Sequence, residues 1–108
     1  MSERENLLRK ELDRDLSILK SQYNPLKVIL FGSLISGNIG EWSDIDLMIV
    51  KDTDKSFYDR SKEVFALLKP QVGMDIIVYT SQEYKEMQGS LFFKEEILSK
   101  SKVLYERN

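Results

Sequence analysis

The stretch from Phe31 to Val50 constrains this 108-residue chain more than any other. An apolar run, Val28-Ile29-Leu30-Phe31, reads as a short buried strand. A second run, Ile45 to Val50, follows a connection that opens with Gly32-Ser33 and carries two further glycines, Gly37 and Gly40. Two carboxylates, Asp44 and Asp46, stand at the entrance of the second run. Residues two apart in a strand face the same side, roughly 7 Å along the chain, so the pair should point away from Ile45, Leu47 and Ile49. Acids held side by side repel each other unless a cation lies between them. The pair is therefore a candidate Mg²⁺ site, and a Gly-Ser turn close by could hold the phosphates that such a metal carries.

Composition narrows the chemistry. With no histidine and no cysteine, disulfides, thiolate metal sites, a Ser-His triad and the usual zinc ligands are excluded. Only hard, oxygen-bound cations remain. A hydrophobic share of 42% with mixed charge describes an ordinary globular chain, sized for one domain over residues 1–108. The formal net charge of −2 gives no clear nucleic-acid footprint, although a balanced total can hide a local basic groove. The first residues are charged and lack the apolar core of a signal peptide, and no apolar run approaches membrane-spanning length. The expected location is the cytoplasm.

Along the chain, Ser2 with Glu5 fits a capping box. Leu8, Leu12, Leu16, Leu19 and Tyr23 recur at the spacing of one buried helix face. The charged remainder of that helix reads as a solvated surface, and Asn24-Pro25 ends it. Strands are expected at Lys27–Phe31, at about Ser43–Val50 and at Val72–Tyr79. Leu34-Ile35-Ser36 should form a helical turn stopped by Gly37. Asp54 is the expected N-cap of a helix to about Leu68, with Phe57, Ser61, Val64, Phe65 and Leu68 inside. Thr80 or Ser81, with Glu83, caps a short helix that Gly89-Ser90 breaks. A last helix spans Leu91 to about Ser99, and Val103-Leu104-Tyr105 is a final strand or an ordered tail. The fold class is α/β (α+β), a small mixed sheet packed against helices.

Period two sets Asp75 with Ile77 and Tyr79 on one face of the third strand, opposite Met74, Ile76 and Val78. If that strand neighbours the second, Asp44, Asp46 and Asp75 can converge. Such a patch suits a divalent metal, or two metals about 4 Å apart serving an in-line nucleotidyl transfer. Gly32 lets backbone approach a phosphate closely, and Ser33 begins a turn whose N–H groups and hydroxyl favour anions.

Gly32-Ser33, ten residues, then Asp44-Ile45-Asp46 resembles the G-S-x10-D-x-D signature of the DNA-polymerase-β-like nucleotidyltransferase superfamily. Met74-Asp75-Ile76-Ile77-Val78 is similar to its third acidic strand, and the small size and tail resemble the minimal nucleotidyltransferase branch. The resemblance implies transfer of an NMP unit from an NTP, usually ATP, with Mg²⁺. It implies Asp44 and Asp46 as metal ligands, Asp75 as a further ligand or as the base, and Gly32 and Ser33 as triphosphate-binding residues. Many minimal members are antitoxins paired with a helical HEPN-domain toxin, which some neutralise by adding AMP to a tyrosine. One departure stands out. Members often carry an arginine after the Gly-Ser pair, whereas this turn reads Gly32-Ser33-Leu34-Ile35-Ser36-Gly37. Lys27 and Lys51 are the cations expected to compensate.

Blander readings exist for each residue. An Asp-x-Asp before a strand can be turn and cap chemistry, and Asp75 can simply begin a strand. Trp42 either stacks on a base or acceptor or packs its loop onto the core, and Glu41 either assists the site or is solvated. Tyr79, Tyr84 and Phe92-Phe93 read as core or partner interface. Apolar residues on more than one side of the last helix point to an interface, which leaves room for an oligomer. Besides the Mg²⁺-dependent transferase, the chain could be an antitoxin that blocks its partner by contact, or a noncatalytic nucleotide sensor.

Overall fold

The computed structural model describes residues 2–37, 39–40 and 43–107, with the side chain of Glu96 left aside. Ser2 caps the first helix, α1 (Glu3–Ile18), its hydroxyl accepting from the Glu5 amide at 3.0 Å. The helix runs on into a π-helical turn, Leu19–Tyr23, and stops at Asn24. That residue takes the left-handed conformation at φ 57°, which asparagine tolerates, and its N–H closes on the Leu19 carbonyl at 2.9 Å. Leu8, Leu12, Leu19 and Tyr23 are buried as the spacing predicts, and Leu16 is half-buried. The charged side of α1 is not wholly solvated, however. Glu11 and Asp15 are buried.

Four strands follow as β1 (Lys27–Phe31), β2 (Ile45–Val50), β3 (Met74–Tyr79) and β4 (Lys102–Glu106). Their order in the sheet is β3-β2-β1-β4. β1 is antiparallel to both β2 and β4, and β2 is parallel to β3. A parallel pair needs a crossover, which the helix α3 (Phe57–Leu68) supplies. The tail is thus a strand, and it completes the sheet beside β1.

Ser56, not Asp54, caps α3, accepting from the Asp59 amide at 3.3 Å. The helix starts later than its charged approach suggests, because Ser56 holds the extended cap conformation. Its buried stripe is Arg60, Val64 and Leu68, while Phe57 and Phe65 are 50% and 36% exposed. Arg60 is tolerated inside because its guanidinium donates to the Lys55 carbonyl, the Val78 carbonyl and Glu83. Glu83 also closes the capping box with Thr80 at the start of α4 (Ser81–Met87), as expected.

The two faces of the sheet are covered unequally. On one, Val28, Leu30, Ile45, Leu47, Ile49, Met74, Ile76 and Val78 form the main core with α1 and α3. On the other, Ile29, Met48 and Phe93 form a smaller cluster with Phe31, Tyr79, Tyr84, Met87, Ile97 and Leu98. The cover there is α4 and the segment after it, which is π-helical at Phe93–Ile97 and 3₁₀ at Leu98–Lys100. Phe93 is its buried anchor, and Leu91 and Phe92 face outward. Among the described residues no helix is long and apolar enough to cross a membrane.

Candidate active site

Alternation along β2 and β3 turns Asp46 and Asp75 onto the thinly covered face, at the end of the sheet that this cover leaves open. The parallel register pairs Asp46 directly with Asp75, and the antiparallel register pairs Asp46 with Phe31. The residue after Phe31 is Gly32, whose φ of 84° and ψ of −152° belong to a region essentially restricted to glycine. Space demands the same residue. A Cβ on Gly32 would lie 2.0 Å from Asp46 Oδ2. The Asp46 carboxylate therefore rests against bare backbone at the start of the Gly-Ser turn.

Asp46 is half-buried and Asp75 is exposed. Burial first, then the hydrogen bond and charge of Asp75, then the charge of Asp44, push the Asp46 carboxyl up to about 6. Asp46 therefore keeps its proton more readily than a free carboxyl does.

Asp44 is held differently. It precedes β2, is exposed, and packs against Gly73, where a Cβ would come within 2.5 Å of its Oδ1. Arg4 of α1 lies 3.5 Å from the same oxygen and donates twice to the Ser43 carbonyl, at 3.0 and 2.7 Å. The structure thus brings Asp46 and Asp75 into direct register, with Asp44 at the strand entrance near enough for its charge to act on Asp46. Among the described residues, no group of three acids is arranged to hold a metal ion. The donors are all oxygen, the set that a hard divalent cation takes. Glu41 and Trp42 lie outside the described residues.

Ser33 opens α2 (Ser33–Ser36), a single turn closed by Gly37 at φ 81°, as the sequence predicts. Gly32 and Ser33 form one side of a cavity of about 610 Å³ whose other walls are Phe31, Ile35, Ser36, Ile97 and Lys100. That volume suits a small-molecule ligand. The expected compensating lysines are elsewhere. Lys27 pairs with Val50 at the far end of the β1–β2 ladder, about 13 Å along the strand from the Phe31–Asp46 pair. It sits 3.2 Å from Glu106, and Lys51 donates to the Tyr23 carbonyl at 2.7 Å. Sequence reasoning missed Arg4 and Lys100. Each reaches the site from a distant part of the chain, and no local pattern announces such a contact.

Two acids at the tips of parallel strands thus stand beside a Gly-Ser turn and a cavity. The family model "Polymerase beta, Nucleotidyltransferase" matches residues 16–108, and the chain belongs to that family of nucleotidyltransferases. It is 35% identical over 99 residues to a candidate protein adenylyltransferase of Methanocaldococcus jannaschii, covering 89% of this chain and 96% of that one. Among solved structures it resembles a candidate nucleotidyltransferase from Sulfolobus solfataricus at a TM-score of 0.58 and 20% identity, covering 96% of this chain and 81% of that one. It also resembles a chain of a toxin–antitoxin complex crystallised with AMP-PNP, at a TM-score of 0.52 and 14% identity, covering 89% and 73%. These structural likenesses are likenesses of fold.

Proposed function

We propose that this chain transfers AMP from ATP to a hydroxyl of an acceptor protein, acting as one domain in the cytoplasm. The observation that carries the reading is the Asp46–Asp75 pair set against Gly32. The protein-adenylyltransferase name of the M. jannaschii relative supports a protein acceptor. Asp46 and Asp75 would hold Mg²⁺, two ions in the complete site, with Asp44 joining them from the strand entrance. The crowding of negative charge at Asp46 and the all-oxygen donor set fit a hard cation. Bound there, such a cation would supply charge neutralisation and lower the acceptor hydroxyl's pKa.

The chain's own residues do the rest. Gly32 lets the triphosphate approach the backbone, and the Ser33 hydroxyl donates to it. Asp75, the more exposed of the pair, takes the acceptor's proton as the acceptor oxygen bonds the α-phosphorus. The bond from that phosphorus to pyrophosphate breaks, and pyrophosphate leaves with the electron pair.

The acceptor is proposed to be a helical toxin of the HEPN type, with this chain as its antitoxin. The toxin–antitoxin fold neighbour supports that pairing. A second reading, neutralisation by contact alone, is favoured by Leu91 and Phe92, which are 68% and 71% exposed on the last helical segment. The test incubates the protein with the product of its neighbouring gene, labelled ATP and Mg²⁺, and reads intact mass. A gain of AMP units, lost with Asp46→Asn, is expected. A stable complex without mass gain would favour the contact reading and sink the transferase for that partner.

A further inference from the structure

We infer that Lys100 binds the polyphosphate of the nucleotide, supplying from the end of the chain the positive charge that the Gly-Ser turn lacks; this rests on the nucleotidyl-transfer reading above. A triphosphate brings several negative charges to a turn that already touches the Asp46 carboxylate. The segment Gly32 to Gly37 contains no cation. Its helix is one turn long, and the Ile35 and Ser36 amides are spent on the Gly32 carbonyl, both at 3.1 Å. Backbone alone therefore offers little against that charge.

The sheet register brings the missing cation in. β4 runs antiparallel to β1 with Ile29 opposite Val103 and Leu30 opposite Lys102. Two residues before Lys102, at the same level as the residues just past Leu30, the chain is at Lys100, the last residue of the 3₁₀ turn. Lys100 lines the cavity together with Gly32 and Ser33, and it is the charged residue among the seven that do. Of the remaining walls, Phe31, Ile35 and Ile97 are apolar and Ser36 is polar. A lysine there acts as a point charge on a flexible stem, a form suited to phosphate oxygens of varying position. Lys100 is exposed, so replacing it leaves the core intact.

The test measures binding of ATP, ADP, AMP and adenosine, each with Mg²⁺, to the wild type and to Lys100→Ala, Lys100→Arg, Lys94→Ala and Asp46→Asn. Lys100→Ala should weaken ATP by roughly tenfold or more, the scale of one lost hydrogen bond to a charged group. The loss should shrink from ATP through AMP and vanish for adenosine. Lys100→Arg should restore most of it, and Lys94→Ala, on the same segment outside the cavity, should bind as wild type. Unchanged ATP binding in Lys100→Ala would overturn the inference while leaving the nucleotidyl-transfer reading in place. So would an equal loss for ATP and adenosine, which would make Lys100 a wall of the cavity. If the wild type binds no ATP, or binds it with indifference to Asp46→Asn, the inference falls together with the reading beneath it.

Discussion

Two pairs of carboxylates stand close together in this molecule, and their surroundings give them different work. Asp46 and Asp75 sit at the tips of β2 and β3, the one half-buried and the other exposed, beside a backbone cleared by glycine and next to a cavity. Glu11 and Asp15 lie one turn apart on α1, both buried, with Arg14 across them at 2.7 and 3.2 Å. In each pair one acid holds its proton too long. Asp46 is pushed up to about 6 and Asp15 to about 8, burial being the largest cause in both. Glu11 ends below its ordinary value despite burial, because Asp15, Arg14 and the Gln71 amide hydrogen-bond to its carboxylate. Neither oxygen of Asp15 finds an aligned donor, which suits an acid that keeps its proton and gives it to Glu11. Arg14 also donates to the Leu68 carbonyl at 2.8 Å and so ties α1 to the end of α3. The α1 pair is closed, with its cation built in. The sheet pair is the more open to solvent. Proximity of acids does not make a site; access and an unmet charge do.

The largest effect that would break this comparison is expected at the sheet pair. Asp46→Asn should lower AMP transfer by roughly 10²-fold or more, the scale felt when a group stabilising transition-state charge is lost. It should also leave the melting temperature equal or higher, since one charge of a repelling pair is gone. Steady-state rates and a thermal melt on the same sample check both. A variant that melts lower would mean that the acid serves the fold.

Gly32→Ala comes next. The new Cβ meets Asp46 Oδ2 at 2.0 Å in a backbone conformation of φ 84°. The variant should lose about 1–3 kcal/mol of stability by denaturant unfolding and most of its activity.

The closed pair supplies the pH dependence. Asp15 has a folded pKa raised above its unfolded one, so its contribution to stability is complete below the ordinary carboxylate range and is lost as pH rises through about 8. Asp15→Asn keeps a donor toward Glu11 and removes the titration. Its stability relative to wild type should therefore climb from pH 4 to pH 8 and level off above, with AMP transfer unchanged. Unfolding curves at several pH values test this.

The smallest effect is expected at Arg4. Its contact with Asp44 is long and partly exposed, so Arg4→Ala should cost about 1 kcal/mol or less. Any change in rate would report on how Asp44 is held.

Much of this was legible in local pattern. The strands, the Gly37 stop, the Thr80–Glu83 box and the face of β3 carrying Asp75 follow from periodicity and cap chemistry, which act within a few residues. The burial of Glu11, Asp15 and Arg60 was not legible, because charged residues enter a core only when distant partners satisfy them. Asp44 lies just before the strand, which starts at Ile45, and its contact with Arg4, forty residues away, has no signal in the local spacing. Lys27 and Lys51 are the compensating cations the sequence suggests, yet the hairpin carries them to the far end of the sheet, while the register of β4 on β1 brings Lys100 to the turn.

The most direct measurement asks which carboxylate pair takes the cation. Mn²⁺ bound in the presence of a non-hydrolysable ATP analogue would be counted by electron paramagnetic resonance in wild type, Asp46→Asn and Asp15→Asn. Binding kept in Asp15→Asn and lost in Asp46→Asn is the predicted result. Binding indifferent to Asp46 or dependent on Asp15 would contradict the account.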